Sequence, residues 1–220
     1  MNIQILYEDN HVLAAEKPCN MPSQEDASKD PDFLSALKEY IKQKYQKQGN
    51  VYLGLLHRLD RPAGGAMVFA RTSKAASRLS EAFRKGEVEK TYYAVLQNSP
   101  REKNGELTGY MVKDEKSNIS RVAEENEAGA KKAKLSYEIT GEKESLALAK
   151  IRLYTGRSHQ IRVQFASIGC PLYGDVRYGH EKQKQLALWS HEIICKHPVK
   201  DEMLSITSMP PDAYPWNLFY

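Results

Sequence analysis

Apolar and polar residues alternate in several short segments of this 220-residue chain. Leu135, Tyr137 and Ile139 follow a period of two, and residues 146–153 repeat it. This period is typical of half-buried strands, and links of only a few residues between successive strands favour antiparallel pairing. The pattern therefore predicts a sheet in which strands adjacent along the chain pair antiparallel.

The remaining hydrophobic pattern divides the chain into further elements. Strands are predicted at residues 3–7, 12–15, 51–55, 66–70, 92–97, 107–112, 119–123, 135–140 and 146–153. Helices are predicted at 31–47, 72–85 and 158–168, where apolar residues recur every three or four positions. Residues 22–30 are polar and are predicted to form a mobile loop.

The helix ends and the domain organisation follow from local signals. Asp30 is expected to cap the first helix with Pro31 in its first turn, and Gly86 is expected to end the second. No repeat or linker is recognisable. We expect one α+β domain over residues 1–220, with a mainly antiparallel central sheet flanked by helices.

The composition excludes several classes of protein. The chain is 41% hydrophobic and 27% charged, which excludes a collagen-like, coiled-coil or largely disordered protein. No apolar run reaches the roughly 20 residues that span a bilayer. Residues 1–9 lack the basic start of a secretory signal. The sequence predicts a cytoplasmic protein without a membrane segment.

Three cysteines, an odd number spread along the chain, do not predict a disulfide framework. The nearest approach to a metal-binding cluster is formed by His191, Cys195 and His197. A zinc site is one interpretation of this group, and a strand with ordinary polar residues near its end is the other. No Cys-x-x-Cys pair occurs, so we expect no metal.

Positive charge is concentrated in two stretches. The whole chain has a net charge of +4, whereas residues 57–90 alone contain eight basic and four acidic residues. Residues 150–174 contain four basic residues and no acidic one. The two stretches predict either one positive cleft for a polyanion or solvated helix faces, and charge alone favours the solvated faces.

A carboxylate flanked by arginines lies between two apolar segments, in His57-Arg58-Leu59-Asp60-Arg61. Rigidly anchored loops often contain reactive groups, and neighbouring guanidinium groups favour the ionised form of Asp60. Such a carboxylate suits a nucleophile or a base. A structural ion pair at a turn is an equally good interpretation of this segment alone.

Two other segments contain candidate site residues. The turn Thr155-Gly156 leads into a predicted helix and is followed by a dense set of donors, Arg157, Ser158, His159, Gln160 and Arg162. These donors suit a phosphate or a buried carboxylate, although a positive helix end facing solvent is also possible. Adjacent Tyr92 and Tyr93 point to opposite faces of a strand, so that one can face a cleft.

These three segments, in this order, resemble the RluA-like family of RNA pseudouridine synthases along nearly the whole chain. The resemblance lies in His57-Arg58-Leu59-Asp60, in Lys90-x-Tyr92, and in the run from Thr155 to Arg162. Lys17-Pro18, the stretch 174–179 and His197-Pro198 also fit. Each short motif is weak alone, whereas the ordered set is highly specific.

The resemblance implies a pseudouridine synthase-like fold with a catalytic cleft across the sheet. It implies isomerisation of a specific uridine in ribosomal or transfer RNA to pseudouridine, with base flipping and without a cofactor or metal. Asp60 is then the catalytic aspartate, Arg162 pairs with Asp60, and Tyr92 stacks on the uracil. Arg58 is expected to fill the space that the flipped base leaves.

The resemblance also implies a set of residues that contact RNA. These are His57, Arg58, Arg61, Lys90, Arg157, His159 and Gln160. We favour a structural role for His57, which would shape the loop. A monomer is expected, without a membrane partner and without the separate N-terminal RNA-binding domain of many relatives.

One segment departs from the family pattern. Ala63-Gly64-Gly65 stands where the family usually has Thr-Ser-Gly, so two loop hydroxyls are missing. This departure is the only support for one alternative, an RNA-binding protein that has lost catalysis. A hydrolase that uses Asp60 and His57 is the other alternative. The intact Asp60, Tyr92 and Arg162 favour the synthase.

Overall fold

The computed structural model describes residues 3–115, 117–179 and 185–220. The chain divides into two compact units, Met1–Glu89 with Ser190–Met209, and Lys90–Trp189 with Pro210–Tyr220. Along the chain the elements are β1 (Ile5–Glu8), β2 (Val12–Lys17), α1 (Phe33–Lys44), β3 (Gly54–Leu55), β4 (Gly64–Ala70), α2 (Ser73–Lys85), β5 (Glu89–Leu96), β6 (Asn104–Asp114), β7 (Ile119–Ala123), β8 (Lys131–Lys143), β9 (Leu146–Leu153), α3 (Gln160–Ser167), β10 (Leu188–Lys196), β11 (Met203–Thr207) and a final 3₁₀ turn (Trp216–Leu218).

The first unit is built around β4, in which every residue is buried. Strand β2 pairs antiparallel with β4 and with β1, and β3 adds two residues to β4. Ala75 and Leu79 of α2 pack into the same core cluster as Val68 of β4. Strand β11 pairs antiparallel with β10.

The second unit contains four successive antiparallel pairs, β5 with β9, β9 with β8, β8 with β6, and β6 with β7. The predicted alternation is present in it. Leu135 and Ile151 are buried, whereas Lys150 and Arg152 are exposed on the other side of the strand. Helix α3 belongs to this unit and is buried along most of its length.

The predicted fold class is confirmed, because helices and mainly antiparallel strand pairs make up both units. The prediction that residues 1–220 form a single catalytic domain stays a prediction. Within the part of the chain that the structure describes, no helix has the length and apolar character needed to cross a membrane.

The first helix begins later than predicted. Asp32, not Asp30, is its N-cap, and the Asp32 side chain accepts a hydrogen bond from the Ser35 N–H. The Asp30 carboxylate instead forms an ion pair with Arg61. Helix α2 has its predicted ends, since Thr72 caps it and Gly86 ends it with a left-handed φ of 75°. Asp30 and Asp32 flank Pro31 and are both suitable caps, and the ion pair of Asp30 with Arg61 leaves Asp32 to cap the helix.

One strand prediction is partly wrong, and one strand was missed. Of residues 51–55, only β3 is a strand, because β4 offers partners to Gly54 and Leu55 alone. Strand β11 was not predicted. Residues 22–30 contain no helix or strand and form a loop as predicted, in which Pro22 and Ser23 are buried and their carbonyl groups accept from the Phe33 and Leu34 N–H.

The candidate zinc cluster is explained by ordinary hydrogen bonds. His191 and Cys195 lie on β10, as the strand interpretation requires. His197 donates from Nε2 to Asp9 and accepts at Nδ1 from the backbone N–H of Val199 and of Lys200. Both of its ring nitrogens are therefore used. Among residues 3–115, 117–179 and 185–220, no three potential ligands are grouped to hold a metal ion.

Candidate active site

The Asp60 segment lies in the first unit between β3 and β4. The Asp60 carbonyl accepts a hydrogen bond of 3.0 Å from the Ala63 N–H, which forms a turn. Gly64 and Gly65 then begin the fully buried β4. The predicted anchoring is thus present on the β4 side, where a core strand follows the turn directly.

Both neighbours of Asp60 are held by residues from β2 and the loop after it. The buried Ser23 hydroxyl donates to the Leu59 carbonyl at 2.8 Å and accepts from the Leu59 N–H at 3.1 Å. The Lys17 ammonium donates to the Arg61 carbonyl at 3.2 Å. The backbone is therefore fixed immediately before and after Asp60, which limits how far its carboxylate can move.

Lys17 is fully buried, with 0% of its surface exposed. Its ammonium also donates to the Pro18 carbonyl at 2.8 Å and to the Met21 carbonyl at 2.7 Å. Three N–H groups thus meet three carbonyl oxygens. Burial lowers the pKa of Lys17 to about 8, against the opposing attraction of Cys19 and Asp60.

This lowered pKa predicts opposite effects of pH on stability and on activity. Because the folded pKa lies below the ordinary value of 10.5, the unfolded chain binds more protons between pH 8 and 10.5, so this group makes folding more favourable as pH rises there. Activity is expected to fall over the same window, since a neutral amine has only two N–H groups for three carbonyls. Urea unfolding and turnover, each measured from pH 7 to 10, test this. Parallel changes in the two quantities would contradict it.

His57 is used by the protein itself. Its Nε2 accepts a 3.0 Å hydrogen bond from the Val68 N–H, and its ring stacks on Phe83 with 5.0 Å between centroids. This placement supports the structural role. A ring nitrogen that accepts from the main chain is not available as a base, which disfavours the hydrolase.

The two arginines beside Asp60 differ in their surroundings. Arg61 donates to the Asn20 carbonyl and the Ser28 hydroxyl and pairs with Asp30. These partners favour a role in bracing the loop over the predicted contact with RNA. Arg58 is exposed and makes no hydrogen bond or ion pair with any described residue. Its guanidinium is therefore accessible to a ligand.

Gly65 is the last residue of the segment Ala63-Gly64-Gly65, which departs from the family pattern, and its position requires glycine. Its φ is +111°, and a Cβ there would lie 2.3 Å from the Ser190 carbonyl oxygen and 2.6 Å from the Ser190 nitrogen. Backbone cannot yield as a flexible side chain does. The missing hydroxyls at positions 63 and 64 leave this close contact intact.

Replacing Gly65 with Ala is expected to lower the free energy of unfolding by about 3 kcal/mol, because overpacking and a strained φ act together. Gly86→Ala is the matched control. Its φ is +75°, but nothing lies within 4 Å of the added Cβ. Gly86→Ala is therefore expected to lower the free energy of unfolding by only about 1 kcal/mol. Urea unfolding measures both, and equal losses would contradict the argument.

The second unit contains the other predicted catalytic residues. Tyr92 on β5 is buried, with 7% of its surface exposed, and it pairs with Ile151 of β9. Tyr93 points to the opposite face, and its ring packs edge-on against Tyr220. The two tyrosines thus take opposite sides, as predicted.

Lys90 precedes Tyr92 by two residues and lies beside the turn at Gly156. A Cβ on Gly156 would be 3.9 Å from the Lys90 ammonium. Burial lowers the pKa of Lys90. Its ammonium has no hydrogen-bond or ion-pair partner in the described part of the chain. A partly buried cation without a protein partner suits an anionic ligand.

The turn at Thr155 is shaped by Gln160. The Gln160 side-chain oxygen accepts from the Thr155 hydroxyl at 2.7 Å and from the Arg157 N–H at 3.1 Å. Its amide nitrogen donates to Gln164. Gln160 is buried, and both its side-chain oxygen and its nitrogen make hydrogen bonds within the protein, so this placement favours a role in shaping the turn over the predicted contact with RNA.

Helix α3 begins two residues later than predicted because His159 has a left-handed φ of 55°. The His159 Nδ1 lies 2.7 Å from the Tyr178 hydroxyl. Arg157 is exposed and donates from Nε to the Lys132 carbonyl at 2.8 Å. Both side chains are therefore oriented by the protein, and a contact with RNA stays a prediction for each.

Arg162 is buried within the second unit and pairs with Asp175. Its Nε donates to one Asp175 oxygen at 2.8 Å, and its Nη2 donates to the other at 2.7 Å. Tyr178 lies over the guanidinium, with 5.1 Å from Arg162 Cζ to the ring centroid. The sequence did not indicate Asp175 as a partner, although it lies in the stretch 174–179 that fits the family.

The family model for RNA pseudouridylate synthase matches residues 11–167. The chain belongs to this family. As a pseudouridine synthase, it is an isomerase that converts uridine in RNA to pseudouridine. Asp60, Tyr92 and Arg162 all lie within the matched residues, whereas Asp175 lies beyond them.

Several curated relatives carry the same family name. A Bacillus subtilis protein named uncharacterized RNA pseudouridine synthase YhcT is 31% identical over 92% of this chain and 67% of its own. The ribosomal large subunit pseudouridine synthase C of Rickettsia bellii is 28% identical, over 96% and 69%. The tRNA pseudouridine synthase C of Vibrio cholerae is 27% identical, over 93% and 89%.

The fold of this synthase is also that of a solved family member. The structure of human RNA pseudouridylate synthase domain containing 4 superposes with a TM-score of 0.78. The match covers 94% of this chain and 88% of the human chain at 23% identity. The pseudouridine synthase-like fold that the resemblance implied is therefore confirmed.

Proposed function

We propose that this synthase isomerises a specific uridine in ribosomal or transfer RNA, and that Asp60 is its catalytic carboxylate. The observation that supports Asp60 most strongly is the fixing of both its neighbours, by Ser23 at Leu59 and by Lys17 at Arg61. A reacting group must be held close to its productive geometry, and this loop provides that restraint. The names of the Rickettsia and Vibrio relatives support the two classes of RNA.

The chemistry needs no external reactant. The N1–C1′ bond breaks, the uracil turns, and a C5–C1′ bond forms, while the C5 proton leaves and N1 gains a proton. Atoms and electrons balance without a redox step. Three roles for Asp60 remain open, which are attack on the sugar, attack on the ring, and removal of a ribose proton. Each of them requires the ionised carboxylate.

Arg162 and Tyr92 complete the proposed catalytic set. Arg162 would pair with Asp60, keep it ionised and fix its direction. Tyr92 would stack on the uracil, and its hydroxyl could assist loss of the C5 proton. Their burial supports these roles, because a reacting base must be sheltered from water.

The target base must leave its stack to reach Asp60, which costs a few kcal/mol. A planar guanidinium can stack on the neighbouring bases and fill the vacated space. Arg58 suits this role because it is exposed and has no partner among the described residues. Uridines in loops are expected to be preferred, since they are the least stacked.

Lys90 is proposed to bind a phosphate of the RNA. Lys90→Met is expected to raise the KM for RNA by about three- to tenfold and to reduce the salt slope of binding by about 0.7, with kcat nearly unchanged. Lys150→Met is the control, since Lys150 is exposed and without a partner in the described residues. Steady-state kinetics and binding at several salt concentrations measure both. An unchanged KM in Lys90→Met would contradict the contact.

We propose that the enzyme acts as a monomer, without a cofactor or metal. The alternative, an inactive RNA-binding protein, would bind RNA without turnover.

One experiment separates the enzyme from the binder. Total RNA labelled with tritium at uridine C5 is prepared from a strain lacking this gene, so that the target is present and unmodified. The purified protein is expected to release tritium up to a stoichiometric limit and to bind the same RNA in a filter assay. Binding without release would overturn the synthase proposal in favour of the binder.

A further inference from the structure

The pairing of Arg162 with Asp175 restrains the guanidinium on one edge. The two side chains are 6% and 0% exposed and are joined by two parallel hydrogen bonds. A bidentate pair fixes the plane of a guanidinium as well as its position. Asp175 thus determines the direction in which the rest of the Arg162 head group points.

Asp175 is itself held in place. One of its oxygens accepts from the backbone N–H of Arg177 at 3.0 Å and of Tyr178 at 3.1 Å. Its carbonyl accepts from the Gly179 N–H at 2.9 Å, which closes the turn. Burial acts to raise the pKa of the Asp175 carboxyl, but the hydrogen bonds and charge of Arg162 hold it below the ordinary value. Asp175 is therefore an anion beside a cation.

The face of the guanidinium is restrained too. The Tyr178 ring lies over Arg162, and its hydroxyl accepts from the Ser120 N–H at 2.9 Å and contacts His159 Nδ1. A ring anchored at its hydroxyl cannot rotate away. The edge and the face of Arg162 are thus fixed from one turn, residues 175–178.

A guanidinium has five N–H groups, and Asp175 takes two of them. The remaining three are not used by Asp175, and the proposed pairing with Asp60 would draw on them. A cation shared by two carboxylates stabilises each anion less than it would stabilise one alone. The charge of Asp175 therefore reduces the hold of Arg162 on Asp60.

We propose that Asp175 is a positioning residue for catalysis, which aims Arg162 at Asp60 and moderates the strength of that pairing. The proposal rests on the proposed function, since the pairing of Arg162 with Asp60 is part of it. It adds a residue that lies outside the match to the family model. Asp175 acts through Arg162 and touches no reacting atom.

Two substitutions separate direction from charge. Asp175→Asn removes the charge and also turns an amide N–H₂ toward Arg162, so it is expected to lower kcat by about 10- to 100-fold with little change in KM. The acid midpoint of its kcat profile is expected to move about half a pH unit lower, because Arg162 then acts on Asp60 alone. Asp175→Glu keeps the charge and displaces it, so kcat should fall without a shift of the midpoint.

The control is Asp9→Asn. Asp9 also accepts from two successive backbone N–H groups, those of His11 and Val12, and has a side-chain partner in His197. Because this carboxylate has a purely structural role, its substitution should change stability without moving the acid midpoint of the kcat profile. The other titratable or charged groups around the pair are His159, Tyr178 and Arg177, which are common to all the profiles.

Tritium release between pH 4.5 and 8 and ¹⁵N NMR of the Arg162 Nε–H are the two measurements. The Nε–H signal should be protected from exchange in wild type and lose that protection in Asp175→Asn. A lower kcat with an unmoved midpoint in Asp175→Asn, or a wild-type kcat in Asp175→Glu, would overturn the proposal. A wild-type enzyme that releases no tritium would contradict the proposed function instead, while the NMR signal still reports the pairing.

Discussion

The Asp60→Asn protein is expected to release no measurable tritium from uridine-labelled RNA, a loss of at least about 10⁴-fold. Asparagine has the same shape but neither the negative charge nor the basicity of a carboxylate. It can therefore perform none of the three roles open to Asp60. Binding of the RNA should stay within about twofold of wild type, since Ser23 and Lys17 hold the loop through its backbone.

Asp201→Asn is the matched control for this loss. Asp201 is an exposed carboxylate paired with Lys196, and pairs of this kind contribute little to stability. Its substitution should leave tritium release unchanged. Turnover by Asp60→Asn above a hundredth of the wild-type rate would exclude Asp60 as the catalytic carboxylate, provided that circular dichroism shows both proteins folded.

Lys17→Met is expected to lower the free energy of unfolding by about 3 kcal/mol and kcat by about 100-fold. Methionine fills a similar volume but leaves the carbonyls of Pro18, Met21 and Arg61 without their donor. Each of these carbonyl groups then loses a hydrogen bond, although removal of a buried charge offsets part of that loss. The loss of activity follows from release of the Arg61 backbone beside Asp60.

The exposed Lys42 of α1 provides the control for this substitution. Lys42→Met should change stability by less than about 0.5 kcal/mol and leave kcat unchanged. Urea unfolding measures the first effect, and turnover at a temperature where all variants are folded measures the second. If Lys17→Met were destabilised but fully active when folded, Lys17 would support the fold without positioning Asp60.

The fold was largely predictable because its signals are local. The alternation in residues 135–139 and 146–153 fixes the face that each strand buries, and the short links fix antiparallel neighbours. The ends of α2 follow from Thr72 and Gly86 alone. The errors arise where a distant partner decides the outcome. Arg61 binds Asp30 and leaves Asp32 as the cap, and β4 limits β3 to two residues.

The residues proposed for the site stand in motifs that the sequence shows, whereas the contacts that hold them in place do not. Asp60, Tyr92 and Arg162 lie in recognisable motifs, whereas their supporting contacts join distant positions. Ser23 reaches Leu59 across 36 positions, and Lys17 reaches Arg61 across 44. No periodicity or spacing encodes such contacts. The same limit explains why Gln160 and Arg61 were expected at the RNA, since only tertiary structure shows that their polar groups are occupied.

Direct analysis of the nucleosides tests the central claim of a uridine isomerase. RNA from a strain lacking this gene is incubated with the purified protein in the presence of EDTA, digested to nucleosides and separated by liquid chromatography. We expect pseudouridine to appear in an amount equal to the uridine lost, with wild-type protein and not with Asp60→Asn. An unchanged nucleoside profile with wild-type protein that binds this RNA would contradict the claim.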